Sequence, residues 1–271
     1  MPKVIEKLDN NTYHKGNEVS SSVVKAMGVS PAYCYSKCYD PDREHGGSPT
    51  PAQLFGTMAH KMILEPEDFN DDFVIAPTDI NRRTKEGREE WAEFEKSASG
   101  KSVIDQESFD TASAMRDALA KHDVAARIIR ECTEREWSGF WQDERTGLDC
   151  KYRPDAACDA IICDYKTAIN ASPDAFQRSV INFGYHESAA WYLDGDAIVR
   201  NRKVKGFVII AQEKVPPYQV AVYRLSKDLV DLGRRKNKAH MSQLNYCLKS
   251  GHWPSYNDEK MITLEAPRWA R

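Results

Sequence analysis

The stretch from Asp149 to Thr167 constrains the fold of this chain more than any other. It reads Asp-Cys-Lys-Tyr-Arg-Pro-Asp-Ala-Ala-Cys-Asp-Ala-Ile-Ile-Cys-Asp-Tyr-Lys-Thr. A short strand ends at Asp155, a tight connection follows around Asp159-Ala160, and an apolar run then closes on Asp-x-Lys. In an alternating strand, residues two apart face the same way, so Asp164 and Lys166 project side by side with Tyr165 behind them. Asp155 approaches them from the end of the preceding strand. Two carboxylates and a lysine converging at strand ends form a cradle for a divalent cation and a phosphodiester.

The residue types suit that chemistry. Hard cations such as Mg²⁺ take oxygen ligands and keep several waters, so one or two carboxylates suffice to hold them. A bound metal lowers the pKa of its water and neutralises charge at an attacked phosphorus. A neighbouring lysine orients the water or stabilises the phosphorane. This is the outline of a metal-dependent nuclease, although Asp-x-Lys alone also fits an exposed hairpin with two solvated charges.

With 271 residues the chain is long enough for one large core or two small ones. Its net charge of −3 advertises no global affinity for nucleic acid, but a local basic groove is compatible with an acidic remainder. The sequence lacks an apolar run of membrane-spanning length and a signal-peptide core, so a cytoplasmic protein is expected. The seven cysteines are irregularly spaced and do not form a disulfide framework. Cys34 and Cys38 have no second pair to complete a zinc site, and Cys150, Cys158 and Cys163 read as small core residues. Near the C-terminus only Cys247 is available, so no iron–sulfur cluster is expected.

Along the chain, residues 1–20 read as a polar, extended lead-in. Short helices are predicted from Ser20 to Met27, stopped by Gly28, and from Ser30 to Cys38, with a loop over 39–50. Pro51 opens a helix through Leu64, with Leu54, Phe55, Met58 and Met62 at helical spacing. Residues 65–100 are charged, and the tract Asn81–Lys85 reads as a solvated loop or a phosphate-contacting arm. One long helix is predicted from Asp105 to Glu131, and one strand over Glu134–Asp143. After the hairpin come a helix from Ser172 to Tyr192, strands Gly206–Gln212 and Gln219–Leu225, and a helix from Lys227 to Lys249. Trp137, Trp141 and Trp191 read as core residues. The pattern is an α/β domain with a mixed central sheet flanked by helices and an N-terminal helical extension. Residues 21–271 are taken as that domain, helical over 21–131 and carrying the catalytic core over 132–271.

An ordered set of short motifs then resembles a known family. Gly56-Thr57-Met58-Ala59-His60, Leu64-Glu65-Pro66-Glu67-Asp68-Phe69, Arg153-Pro154-Asp155 and Asp164-Tyr165-Lys166-Thr167 occur in the order found in RecE-type exonucleases. These are the exodeoxyribonuclease VIII group of the PD-(D/E)xK nuclease superfamily. Trp253-Pro254 and Pro267-Arg268-Trp269-Ala270 also resemble the end of RecE. The likeness covers roughly residues 20–271.

The resemblance implies degradation of linear double-stranded DNA from its ends, 5′ to 3′, with Mg²⁺ (or Mn²⁺ in its place) and without ATP. It implies that Asp155 and Asp164 bind metal, that Lys166 is the catalytic lysine, and that His60 is a ligand or close neighbour of the metal. The Tyr165 carbonyl would be a further ligand. It also implies 3′ overhangs passed to a RecT-type single-strand annealing protein, and a homotetrameric ring around DNA. Positions assigned to DNA contact are Arg153, Ser188 and Tyr192.

Two departures from the family pattern bear on these expectations. Where the superfamily often has Gln-x3-Tyr, this chain has Ser188 and Tyr192, and serine reaches less far; His186 and Glu187 are candidates to compensate. An upstream acidic ligand could be Glu134 or Glu136, and the motif does not choose between them. Two rival readings remain beside the exonuclease: an endonuclease on the same fold, and a DNA-binding module without catalysis.

Overall fold

The computed structural model describes residues 2–5, 8–43, 49–256 and 260–267. In chain order the elements are β1 (Lys3–Ile5), α1 (Asn10–Lys15), α2 (Ser21–Val29), α3 (Pro31–Cys34), a π-helical turn (Tyr35–Tyr39) and α4 (Pro51–Leu64). A 3₁₀ turn (Pro66–Asp68), α5 (Phe69–Asp72), β2 (Phe73–Ile75), α6 (Lys85–Ser97), β3 (Ser102–Ile104), α7 (Gln106–Ala120) and α8 (Asp123–Glu131) follow. Then come β4 (Glu134–Arg135), β5 (Ser138–Gln142), β6 (Asp149–Tyr152), β7 (Ala156–Ala157) and β8 (Ile161–Ala168). The chain continues through α9 (Pro173–Asn182), α10 (Tyr185–Arg200), β9 (Gly206–Glu213), β10 (Val220–Arg224) and α11 (Lys227–Ser250).

A mixed five-stranded sheet runs β10-β9-β8-β7-β4, with β8 and β9 parallel and the other pairs antiparallel. Alternation along β8 and β9 sends Ile162, Phe207 and Ile209 to one face and Cys163, Tyr165, Val208 and Ile210 to the other. The first face packs on α2, α9, α10 and α11 through Val24, Phe176, Trp191 and Leu244. The second packs on α4, α7 and α8 through Met58, Met62, Leu119 and Ile128. This is the mixed, helix-flanked α/β architecture that the sequence predicts. The three core tryptophans join the first cluster: Trp137 meets Tyr152 edge-on at 5.3 Å, and Trp141 lies 5.1 Å from Trp191. Among the described residues no helix is long and apolar enough to cross a membrane.

Helix α4 forms where proposed because its start is encoded locally. Thr50 accepts from the Gln53 amide, Gln53 returns the bond to the Thr50 backbone, and Pro51 occupies the first turn.

Several elements differ from the sequence prediction. The lead-in is structured: β1 pairs with β5, Asp9 caps α1, and Val19 bridges Cys150. Polar composition hides this, because the segment is held by its backbone. Lys151 donates to the carbonyls of Tyr13 (2.6 Å) and Gly16 (2.8 Å). Gly28 does not end its helix, which runs to Val29. The charged stretch 65–100 contains α5, β2 and α6, and the basic tract leads into α6, where Thr84 accepts from Gly87 and Arg82 stacks 4.2 Å over Trp91. The long helix divides after Ala120 because His122 Nδ1 accepts from Ala125 and starts α8 anew. The strand over 134–143 divides at Glu136, whose φ of +51° takes β4 and β5 into different sheets. The helix from Ser172 breaks at Phe183-Gly184, where Gly184 has a φ of +64°. The loop expected over 39–50 and the C-terminal Arg268-Trp269-Ala270 lie partly or wholly outside the described residues.

Helices α10 and α11 approach closely at Gly233. A Cβ there would lie 2.1 Å from the His186 carbonyl oxygen, which belongs to rigid backbone. Gly233→Ala is therefore expected to force the helices apart and cost about 1–3 kcal/mol. Urea unfolding reads this directly, and an unchanged midpoint would contradict it.

Candidate metal and phosphodiester site

Strand β7 pairs with β8 through Ala156↔Cys163, so Asp155, one residue earlier, comes level with Asp164. The Tyr165 amide locks it there, donating to Asp155 Oδ2 at 2.7 Å. Asp164 and Lys166 point to the same side, as alternation requires, and Lys166 Nζ sits 3.1 Å from Asp164 Oδ2 and 3.4 Å from Asp155 Oδ2. Tyr165 turns the opposite way into the second core cluster, where its hydroxyl meets Gln212 at 2.9 Å.

From the other side of the strand, α4 delivers His60. The approach does not depend on a glycine at position 56, where an added Cβ would remain 3.9 Å from Thr167 Oγ1. His60 Nε2 lies 3.1 Å from Asp155 Oδ2 and 3.6 Å from Glu136 Oε1. The left-handed backbone at Glu136 is what leaves its carboxylate beside this histidine and out of either strand's regular alternation. Ligand atoms of His60, Glu136 and Asp155 all lie within 4.8 Å of one another.

The electrostatics follow from this crowding. Burial raises the cost of charge on Asp155, yet the Lys166 ammonium and the His60 ring outweigh it and hold this carboxyl well below the usual range. Asp164 is pushed up to about 6, first by burial and then by Asp155 beside it. Burial likewise raises Glu136 to about 7, against the pull of His60. Burial opposes the charge on Lys166, but Asp155 and Asp164 together keep it well above its ordinary value. His60 is also raised, Asp155 and Glu136 prevailing over burial.

Asp164 Oδ1 is buried and has no hydrogen-bond partner within the protein. Asp164 is not part of the group formed by His60, Glu136 and Asp155, but a buried carboxylate oxygen left over beside Lys166 and Asp155 is the arrangement expected where a cation completes the coordination. The donor set, oxygen-rich with one imidazole, fits Mg²⁺ or Mn²⁺. The Tyr165 carbonyl lies 3.3 Å from Lys166 Nζ, at the edge of the same group.

These groups open into a cavity of about 830 Å³ that Asp164, Lys166, Glu136, Arg153, Ser188 and Tyr192 help to line. Ser188 and Tyr192 thus face the cleft from α10. His186 and Glu187 do not: His186 is fully buried with Nδ1 3.1 Å from the Val180 carbonyl, and Glu187 pairs with Lys236 at 2.6 Å. Neither is placed to compensate for the short serine.

Arg153 has most of its guanidinium engaged within the protein. It donates to Ser138 (3.0 Å), Asn10 (3.2 Å) and the Leu8 carbonyl (2.8 Å), and lies 4.1 Å over the Tyr13 ring. Of the two upstream acids, Glu134 is consumed by Arg200 and Arg202 at 2.7–3.1 Å, whereas Glu136 joins the cluster. Lys25 also lines the cavity from α2, its pKa lowered by burial and by Lys166. No motif in the sequence marked Lys25, because nothing near it in the chain relates α2 to β8.

Comparisons with known proteins bear on the family and the fold of the chain. No curated protein matches the chain. A crystal structure from Eubacterium rectale, described as a "putative exonuclease", superposes with a TM-score of 0.63 over 97% of this chain and 96% of its own, at 15% identity. At that identity the likeness concerns the fold. The family model of the PDDEXK-like domain of unknown function (DUF3799) matches residues 20–263. A match of that extent, over a hairpin that brings Asp155, Asp164 and Lys166 together, shows that this chain belongs to the PDDEXK-like family.

Proposed function

We propose that the protein is a divalent-metal-dependent deoxyribonuclease that degrades linear double-stranded DNA from its ends. The observation that carries this reading is the placement of Lys166 Nζ between two carboxylates, 3.1 Å from Asp164 and 3.4 Å from Asp155, with Asp164 Oδ1 left unpartnered. Asp155, Asp164, His60 and the Tyr165 carbonyl would hold the cation, with Glu136 as a further ligand. When bound, that cation supplies Lewis-acid charge at the phosphodiester and lowers the pKa of water.

The chain's own groups do the rest. Lys166, flanked by two acids, keeps its proton and so serves as a cation: it orients the attacking water and neutralises charge as the P–O3′ bond breaks. The departing O3′ takes a proton as the 3′-hydroxyl of the released nucleotide, and the phosphate remains as the new 5′-phosphate of the shortened strand. Tyr165 N–H and His60 hold Asp155 in register, so the carboxylate does not have to reorganise during the reaction. Ser188 and Tyr192 line the path of the DNA; Arg153 shapes it by anchoring the N-terminal segment.

End dependence, 5′-to-3′ polarity, transfer of 3′ overhangs to a RecT-type annealing protein and assembly as a tetrameric ring belong to the same proposal. They are supported by the ordered RecE-like motifs, and the description of the Eubacterium rectale protein points the same way for exonuclease action. The test is digestion of one plasmid, intact and linearised, with Mg²⁺ and with EDTA. Loss of the linear form alone, and only with Mg²⁺, is expected. Cutting of the closed circle would move the reading to an endonuclease, and no cutting of either would overturn it.

A further inference from the structure

A second cavity, of about 900 Å³, shares no lining residue with the catalytic one. It is bordered by the C-terminal half of α10, the start of β9 and the connection from β10 to α11. Gly206 opens β9 opposite Ile161, whereas Ile209 lies opposite Asp164, so the cavity begins roughly 10 Å along the sheet from the catalytic acids. Its charge runs against that of the chain. The whole sequence carries −3, yet six lysines and arginines line this cavity against one acid, Asp194. Three of the six are neutralised: Arg202 by Glu134 (2.7 Å) and Asp196 (2.8 Å), Arg234 by Asp194 (2.8 Å), and Lys227 by Asp231 (2.6 Å). Lys203, Lys205 and Arg224 have no acidic partner among the described residues.

The backbone holds these three in place. Val204 packs against the first core cluster and leaves Lys203 and Lys205 exposed on either side of it. Arg224 ends β10 opposite Val208, and its Nη2 donates to the Lys205 carbonyl at 2.7 Å. Gly206 makes room for that guanidinium, since a Cβ there would lie 2.9 Å from Arg224 Nε. Ser226 caps α11 by accepting from the Leu229 amide at 3.3 Å, so the positive end of a 24-residue helix completes the wall. Gathered cations without acids focus a positive potential that an anion relieves.

We infer that this cavity is a remote DNA-phosphate subsite, in which Lys203, Lys205 and Arg224 hold the backbone of the duplex whose end occupies the catalytic cleft. The guanidinium matches two phosphate oxygens at once, and the lysines act as point charges. Such contacts position a duplex without reading its sequence. The span also suits DNA. Helix α10 borders both cavities, the first at Ser188 and Tyr192 and the second at Asp194 and Ala197. From Ser188 to Ala197 the helix rises about 14 Å, the length of about four base pairs. The inference rests on the nuclease reading for its ligand, but its site and its test are separate.

The test uses the full chain in EDTA, where cleavage is stopped, and fluorescence anisotropy with a labelled duplex over a salt series. Each phosphate contact removed lowers the slope of log affinity against log salt by about 0.9, so Lys203→Gln, Lys205→Gln and Arg224→Gln combined should lower it by about 2.7. The Lys203→Gln and Lys205→Gln pair, which breaks no bond within the protein, should lower it by about 1.8 and melt with the wild type. As a control, Lys96→Gln, Lys121→Gln and Lys249→Gln remove the same charge from exposed positions that border neither cavity and should leave the slope unchanged. In Mg²⁺ the three-cation variant should raise KM for linear duplex and keep kcat, because the lost contact is remote from the reacting phosphodiester. A slope equal to that of wild type, as expected if an acidic protein segment fills the cavity, refutes the subsite; so does an equal loss in the control. If dAMP raises the melting temperature of wild type and not of the variant while the two slopes agree, the cavity takes a free nucleotide and the DNA subsite is refuted. Wild type that binds with the expected slopes but cuts no DNA would sink the nuclease reading and leave the subsite standing. Wild type that neither binds nor cuts would overturn both.

Discussion

Lys166→Ala should lower cleavage of linear DNA by at least about 10²- to 10³-fold, the loss typical when one preorganised charge is removed from a phosphoryl or acyl transition state. The same change leaves Asp155 and Asp164 level with each other and without the ammonium that lay 3.4 and 3.1 Å away. Two adjacent carboxylates without a counter-charge repel, so the variant should melt below wild type in EDTA. Mg²⁺ should recover more of its stability than it adds to wild type, since the cation then compensates both acids alone. Initial rates on a linear duplex, with melting curves in EDTA and in Mg²⁺, check both halves. Near-normal turnover would remove Lys166 from the mechanism.

Asp155→Asn should be equally damaging, for a different reason. Asp155 Oδ2 is where Tyr165 N–H (2.7 Å), His60 (3.1 Å) and Lys166 (3.4 Å) converge, and it is the carboxyl most firmly held in its charged form. An asparagine keeps the size and one acceptor oxygen but removes the charge. In wild type, Mg²⁺ or Mn²⁺ at a hundred times its dissociation constant should add about 2.7 kcal/mol of stability. In Asp155→Asn that increment should largely vanish together with turnover. Calorimetric titration with Mn²⁺ decides it: an unchanged affinity would mean that the cation sits elsewhere.

Much of the site could be read from the chain because its chemistry is concentrated in one hairpin. Strand alternation alone puts Asp164 and Lys166 together and turns Tyr165 away, and the structure has them so. Helix α4 was equally legible, since Thr50, Pro51 and Gln53 cap it within four residues. Other breaks carried no comparable signal. A glutamate with φ +51° has none of the glycine or asparagine that would announce it, so β4 and β5 read as one strand. His122 caps α8 with a ring nitrogen, and histidine is not a residue by which helix starts are ordinarily recognised. The N-terminal segment is held by Lys151 and Arg153 acting on its carbonyls, contacts that span 135–145 positions and leave no periodicity behind.

By itself the sequence determined what depends on near neighbours: the helix-flanked strands, the hairpin, and the residue types able to hold a hard cation beside a phosphodiester. Tertiary structure decided which of those groups are free to act. Glu134 and Glu136 are two residues apart and chemically identical, yet arginines 66 and 68 positions later neutralise the first. The second is left against His60, which arrives from α4. Arg153 reads as a DNA contact and is largely occupied in holding Leu8 and Asn10. A charge is functional only when the fold leaves it uncompensated, and compensation is set by partners that local sequence does not specify.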